Sequence, residues 1–491
     1  MKYAAFRADL GDIPHTDDPA QVRRKSRDFT TSPILREEAE GKTADILVTP
    51  RNKADVMRVA SACARHRVPV IARGGGTANF GQGIPLEGGI ILDMTTLGRI
   101  LWVRDRKVRA EAGILLSALD EHLRRDHQQE IRMHPSTRKL ATLGGYIAGG
   151  HVGVGSCRYG ILHDRGNVIG IEAISVEEEP RVIEVRGRDV NRLHHAYGTN
   201  GIITELEMPL APAYRWREAI VEFDDFMKVV RFLADLCEEH GMVIKLASGN
   251  GWPLPGFFTP LARFVRAGCH TAHVMVADEF REIFLSMVQD FGGRLAYEGL
   301  EGEGPFGVPL YEFSFGHVRR YIDKAAPELI ANFGIFPAHD LVGCVERVHR
   351  RFAGAPFHID FKRKDGRLCA QGSPLFPFVS PENFARRIEE FQALGYESAN
   401  VHTLFVRENG MKTIDAAEIA FKRAMDPHNL MNRGKFTSDD VQKPGVGASL
   451  PTTGWTYRKS GEFAGVASAP EPGPRGAGPE TPPRQGIRAE T

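Results

Sequence analysis

Between Val68 and Met94 the chain reads VPVIARGGGTANFGQGIPLEGGIILDM, seven glycines set between two short apolar runs. Glycine and Pro85 together prevent a helix from propagating through this stretch. The segment therefore predicts a strand, a loop of bare backbone, and a second strand from Ile90 to Asp93. Gly74, Gly75 and Gly76 allow positive φ and close approach to a ligand, because no Cβ stands in the way. Two phosphate cradles are excluded. The ATP-type loop needs a Gly-Lys-Ser/Thr ending that opens a helix, and the dinucleotide fingerprint needs a third glycine where Asn79 stands. What remains is either an anion nest of backbone N–H donors or a plain glycine-rich hairpin.

The 491 residues suggest two to three domains, each with its own core. Basic and acidic residues balance, 63 against 62, so net charge proposes no nucleic-acid partner, and a small-molecule substrate is expected. Six cysteines stand singly, without a C-x-x-C pair, and read as reduced thiols. The N-terminus lacks an apolar leader core and no run of about eighteen apolar residues occurs, so a cytoplasmic protein with no integral membrane segment is expected.

Thr49-Pro50 reads as a helix start, with Val56, Val59, Ala60 and Cys63 as the buried stripe. A strand from Lys107 and a helix from about Leu116 to Arg125 follow. A second glycine-rich segment, ATLGGYIAGGHVGVGS from Ala141 to Ser156, again demands close backbone approach. Gly198 and Gly201 then precede a β-branched run at Ile202-Ile203-Thr204. Beyond about Arg215 glycines thin out and strand–helix units begin a second domain. PFHIDFKRKDG and ANVHTLFVR alternate like half-exposed strands, flanking a helix that starts at Ser380-Pro381 and ends at Gly395. The expectation is a sheet with helices on one face. From Gly461 the composition cannot build a core, so 461–491 is expected to be a disordered tail.

The run Arg73-Gly74-Gly75-Gly76-Thr77, the ILDM strand, AEAGI, HPST, ATLGGYIAGG, GTNGIIT and the late DPHNLMNRGKF occur in the order of a known group. In this the chain resembles FAD-linked oxidases of the vanillyl-alcohol oxidase and p-cresol methylhydroxylase (PCMH) type. The resemblance implies an α+β protein. It would have an N-terminal extension over 1–43, a two-subdomain PCMH-type FAD-binding domain over 44–213, a substrate (cap) domain with an antiparallel sheet covered by helices over 214–408, and a return to the FAD domain over 409–440. It implies an FAD-dependent oxidoreductase that oxidises a small alcohol, phenolic or hydroxy-acid substrate by hydride transfer to flavin N5. The alternative is a non-catalytic flavin or nucleotide carrier.

By the same resemblance the cofactor residues are Arg73, Gly74, Gly75, Gly76, Thr77, Ala78 and Asn79 around the pyrophosphate, Ser136, Thr142, Gly144 and Gly145 along the dinucleotide, Gly201 and Ile202 beside the adenine half, and Asn432 in the closing motif. Thr77 stands where covalently flavinylated relatives carry histidine, so FAD is expected to be noncovalent. No metal is expected, since no stretch matches the metal-dependent hydroxyacid pattern. Arg433 and Lys435 are the candidate catalytic cations near the isoalloxazine, and His402 is the candidate base, because neutral imidazole suits that task near pH 7. His358, Lys362 and Lys364 share one face if their strand runs that far, and could hold an acidic substrate group. Thr95, aligned to the flavin edge, would obstruct dioxygen, which favours a dehydrogenase with a quinone or electron-transfer protein as acceptor. The aromatic stretch from Gly251 to Gly268 is a candidate for docking a second subunit, although burial in its own domain explains it better.

Overall fold

The computed structural model describes residues 3–29, 32–436 and 455–458; the expected tail at 461–491 and residues 437–440 of the expected return lie outside them. Three sheets make up the described chain. In the first, Ile46–Val48, Ile90–Asp93 and Val70–Arg73 run parallel with Ile90–Asp93 in the middle, and His15–Thr16 adds an antiparallel edge. Parallel strands need a crossover, and the helix Lys53–His66 supplies it, burying Val56, Val59, Ala60 and Cys63. The helix begins later than Thr49-Pro50 predicts. Thr49 is held extended, its N–H donating to the Pro14 carbonyl at 2.8 Å, and Asn52 takes the capping role by accepting from the Asp55 N–H at 2.9 Å.

The second sheet is antiparallel around the long strand Ile202–Pro212, with Lys107–Glu111 on one side and Gly170–Ile174 on the other. Helix Leu116–His127 closes its core through Leu116, Leu119 and Leu123. The N-terminal extension is not an appendage, since Phe6 and Leu10 share a core with Val56, Val70 and Ile90. The closing segment is equally integrated. Phe421 and Met425 of helix Ala416–Met425 enter the core of the second sheet, and Met431 forms a parallel bridge with Val70.

The third sheet carries nine antiparallel strands, with Ile244–Gly251, Phe357–Lys364 and Arg367–Pro377 at its centre. Helices Phe226–Glu238, Leu341–Arg351 and Pro381–Ala393 pack on one face, as the alternation predicts; Ser380 caps the last and Gly395, at φ 89°, follows it. The sheet meets the first half through buried polar contacts. Lys245 bonds Glu130 at 2.7 Å with both side chains about 1% exposed, and the Trp216 indole N–H donates to the same carboxylate at 2.9 Å. One predicted strand shrinks: only Glu397–Ala399 pairs, and ANVHTLFVR leaves the sheet beyond it. Asn400 and Thr403 turn the chain by accepting from the N–H groups of His402 and Phe405, local bonds that compete with a ladder. The aromatic stretch serves its own domain: Phe258 is fully buried against Phe313 and Tyr321, and Phe264 meets Tyr297 and Phe306 edge-on.

Candidate functional site

The two glycine-rich segments lie against each other, and that contact accounts for two of the glycines. A Cβ on Gly74 would overlap the Thr142 hydroxyl, and one on Gly75 would overlap the Leu140 carbonyl. Gly76 adopts φ 67°, where a side chain would be strained and would also meet the Arg73 guanidinium. The second segment contains a helix that its glycines conceal, Leu143–Gly149, capped by the Thr142 hydroxyl accepting from the Gly145 N–H at 3.2 Å.

Between the segments runs a cleft. Its floor includes Gly74 to Asn79, Ser136, Thr142, Gly145 and His151; its far wall is made by His195, Tyr197 and Gly198. The cap contributes Phe315, His317, Phe333, Gln371 and Val401, and the return segment contributes Asn409 and Met411. Among the described residues, none of the five consecutive backbone N–H groups from Gly75 to Asn79 donates to a protein acceptor. A half-buried row of unpaired donors facing a cleft is open to an acceptor from outside the protein, and an anionic oxygen is the acceptor that gains most. The Tyr197 hydroxyl, His195 Nε2, Arg73 Nε and Asn409 Nδ2 are also buried without partners. The residues thus fit a long ligand carrying a diphosphate and several polar edges.

Not every expected cofactor residue reaches the cleft. Gly144 is pressed onto Ala112, Gly201 (φ 132°) onto Met425, and Ile202 is fully buried in a hydrophobic core. Asn432 works as a clasp: its Nδ2 donates to the carbonyls of Gln82 at 2.8 Å and Tyr197 at 2.6 Å, tying the return segment to two stretches of cleft wall.

The side chains chosen for chemistry fare differently from the glycines. Arg433 pairs with Glu87 at 2.7 Å, both nearly half exposed, and does not line the cleft. Lys435 is fully buried, donating to the Gly81 carbonyl at 2.7 Å, and burial pushes its pKa down to about 7. It braces the loop from behind. His402 has both ring nitrogens engaged, Nε2 with the Ala331 carbonyl and Nδ1 with the Ser32 hydroxyl, each at 2.8 Å. Burial lowers its pKa to about 4, so the ring is neutral, but neither nitrogen is left for a substrate. Thr95 is exposed, bonded to Asp93 at 2.7 Å, and lies outside the cleft lining, which removes the reason for expecting it to screen dioxygen.

On the cap strand the shared face is real, but its roles are indirect. Lys364 is exposed. His358 bonds Asn250 at 2.8 Å and Asp360 at 2.9 Å, and the Asp360 carboxylate accepts from the Phe315 N–H at 3.1 Å. That carboxylate holds Phe315, strained at φ 50°, in the cleft wall. Lys362, fully buried with its pKa lowered to about 8 by burial, donates to Gln371 Oε1 at 2.9 Å. This fixes the orientation of the Gln371 amide, and Gln371 does line the cleft.

Sequence reasoning passed over His151. It lines the cleft within the second glycine segment, and neither ring nitrogen has a hydrogen-bond partner among the described residues. The preceding carbonyl, of Gly150, accepts from His194 at 3.1 Å and His195 at 3.0 Å, and the His151 carbonyl accepts from the Leu162 N–H at 3.0 Å, so the backbone carrying the ring is pinned on both sides. Burial, then the charge of Lys362 and the neighbouring histidines, hold its pKa well below the usual range. The signal available was a histidine inside a segment that otherwise avoids side chains. Among the described residues, no group of three or more His, Cys, Asp or Glu is arranged to hold a metal.

Residues 44–179 match the family model described as FAD binding domain. Over 177 residues the chain is 30% identical to glycolate oxidase subunit GlcD of Bacillus subtilis (strain 168), covering 34% of this chain and 37% of that protein. Over 180 residues it is 31% identical to a D-lactate dehydrogenase of Archaeoglobus fulgidus, covering 35% and 39%. These matches span less than two fifths of either relative. A solved alkyldihydroxyacetonephosphate synthase superposes with a TM-score of 0.65 over 89% of this chain and 85% of that one at 15% identity, a likeness of fold. No helix among the described residues is long and apolar enough to cross a membrane.

Proposed function

We propose that the cleft, bordered by the segment that matches an FAD binding domain, holds FAD and that the chain is an FAD-dependent oxidoreductase that oxidises a small hydroxy acid or alcohol. The observation that carries this reading is the unpaired imidazole of His151 in the same cleft as the unpaired N–H row of Gly75 to Asn79. Bound there, the cofactor supplies a two-electron acceptor for the substrate's C–H bond. The N–H groups from Gly75 to Asn79 and the Ser136 hydroxyl would hold its diphosphate, and Thr77 offers no imidazole for a covalent link at that position, so FAD would be held noncovalently.

The protein's own residues then manage the substrate. His151, kept neutral by burial and by Lys362, accepts the hydroxyl proton as the C–H bond is broken. Gln371, its amide oxygen engaged by Lys362, turns N–H donors towards a substrate carboxylate or hydroxyl. Phe315, His317 and Phe333 close the cleft from the cap side and exclude water. The test is anaerobic: FAD-loaded protein is mixed in turn with glycolate, the two lactate enantiomers, phenolic alcohols and alditols. A substrate bleaches the flavin absorbance; a panel that leaves the colour unchanged favours the carrier reading. Reoxidation of the bleached protein by dissolved oxygen, compared with turnover, separates an oxidase from a dehydrogenase using a quinone or protein acceptor.

A further inference from the structure

A second cavity, of about 850 Å³, adjoins the cleft and shares Arg73, Gly75 and Gly76 with it. Arg23, Arg24 and Arg27 complete its basic lining, with Phe29 as its aromatic surface and Asp28 as the one carboxylate. Four guanidinium groups around one carboxylate stand out in a chain whose net charge is +1.

Several arginines elsewhere are matched. Arg109 reaches Glu172, Glu184 and Glu205, and Arg124 reaches Asp120 and Glu130. Lys25, on the same helix as Arg23 and Arg24, pairs with Asp93 at 2.5 Å. Arg23, Arg24 and Arg27 are exposed and gathered on one basin, and their side chains have no ion-pair or hydrogen-bond partner among the described residues. Asp18 is close enough to Arg24 to feel its charge, yet it bonds the N–H groups of Ala20 and Gln21 instead. Helix-dipole stabilisation accounts for basic residues in the last turn of Pro19–Lys25, but not for Arg27 or Arg73, which lie outside that helix. The Arg73 guanidinium donates to the Arg27 carbonyl at 2.9 Å and keeps a buried Nε without a partner.

We propose that this basin binds a small polyanion carrying a pyrophosphate, phosphate-ester or polycarboxylate group, beside the cofactor cleft with which it shares one rim. Convergent guanidinium groups recognise planar, multiply charged oxygen groups through charge-assisted bonds, and the cavity volume is that of a small-molecule pocket. Because Gly75 and Gly76 belong to both cavities, an anion seated here bears on the loop that grips FAD. The proposal does not depend on what the cleft oxidises.

The test is calorimetric titration of the FAD-loaded protein with inorganic pyrophosphate and, separately, with citrate, while the flavin spectrum is followed. The expected result is saturable binding of at least one of them with FAD retained, weakened about tenfold or more in an Arg23→Glu/Arg24→Glu double variant and unchanged in Arg188→Glu, an exposed arginine on the short helix Gly187–Arg192. Preference for pyrophosphate identifies a phosphate ligand, and preference for citrate a polycarboxylate. Absence of saturable binding by both overturns the proposal. So does equal affinity in the double variant, or release of flavin in step with binding, which would place the anion in the cofactor's own diphosphate site. Should the protein take up no FAD, the cofactor reading fails instead, and the same contrast between variants on the unloaded protein still decides the basin.

Discussion

The glycine cradle and the stretch from Asn400 to Phe436, the end of the cap and the return segment, border the same cleft, yet they contribute to it by different means. In the cradle the working groups are backbone N–H donors, left without protein acceptors from Gly75 to Asn79. In the stretch from Asn400 to Phe436 most of the polar side chains are consumed by the protein, Asn432 by the carbonyls of Gln82 and Tyr197, Lys435 by that of Gly81, His402 by Ser32 and Ala331 and Arg433 by Glu87, while Asn409 keeps a buried Nδ2 open at the cleft. One region keeps its donors open for a ligand, whereas the other spends most of its own on holding the first in place. A polar residue beside a cleft is therefore functional only when nothing in the protein has already satisfied it.

The sharpest way to break this contrast is Gly75→Val. Its branched side chain collides with the Leu140 carbonyl, so the loops cannot close and the donor row is lost. The purified variant should carry no FAD by its visible spectrum while keeping a folded cap; stoichiometric flavin would show that the cradle does not hold the cofactor.

His151→Gln should retain FAD and lower turnover by about a hundredfold or more in single-turnover kinetics, the usual contribution of a positioned base. His402→Gln should leave turnover nearly unchanged. If their effects were exchanged, the division between open and consumed groups would be wrong.

His402 makes its mark in pH-dependent stability. Its folded-state pKa is depressed from 6.5 to about 4, so the unfolded chain takes up the proton first. The contribution of this buried neutral ring is complete above about pH 6.5 and is lost as pH falls towards 4. Urea midpoints measured across that window should fall less steeply for His402→Gln than for the parent.

The smallest effect belongs to Arg433→Ala. An ion pair as exposed as that with Glu87 contributes about 0–1 kcal/mol, so stability should shift by at most that amount and turnover should hold. A large loss of turnover would return Arg433 to the active site.

The cradle was legible because its chemistry belongs to the backbone, and a run of glycines announces such chemistry locally. Even there the reason was only half visible: Gly75 is bare because Leu140 lies against it, a contact between segments 65 residues apart in sequence. The strand Ile90–Asp93, the stripe Val56–Cys63 and the helix from Ser380 to Gly395 were equally readable, since periodicity and caps act within a few residues. The strand through His402 was not, because Asn400 and Thr403 turn the chain by side-chain bonds that alternation does not reveal.

What the sequence determined by itself was thus the α+β layout, the FAD-binding segment and the loop that offers its donors. What tertiary structure decided was which charged and imidazole groups remain available. His402 and His151 are the same residue type, and the surroundings of each lower its pKa; the first is buried and closed by Ser32, 370 positions away, and the second is half-buried and left open in the cleft. A hydrogen bond between such distant residues exists only once the chain has folded, so the partner that silences a side chain cannot be read from its neighbours in sequence.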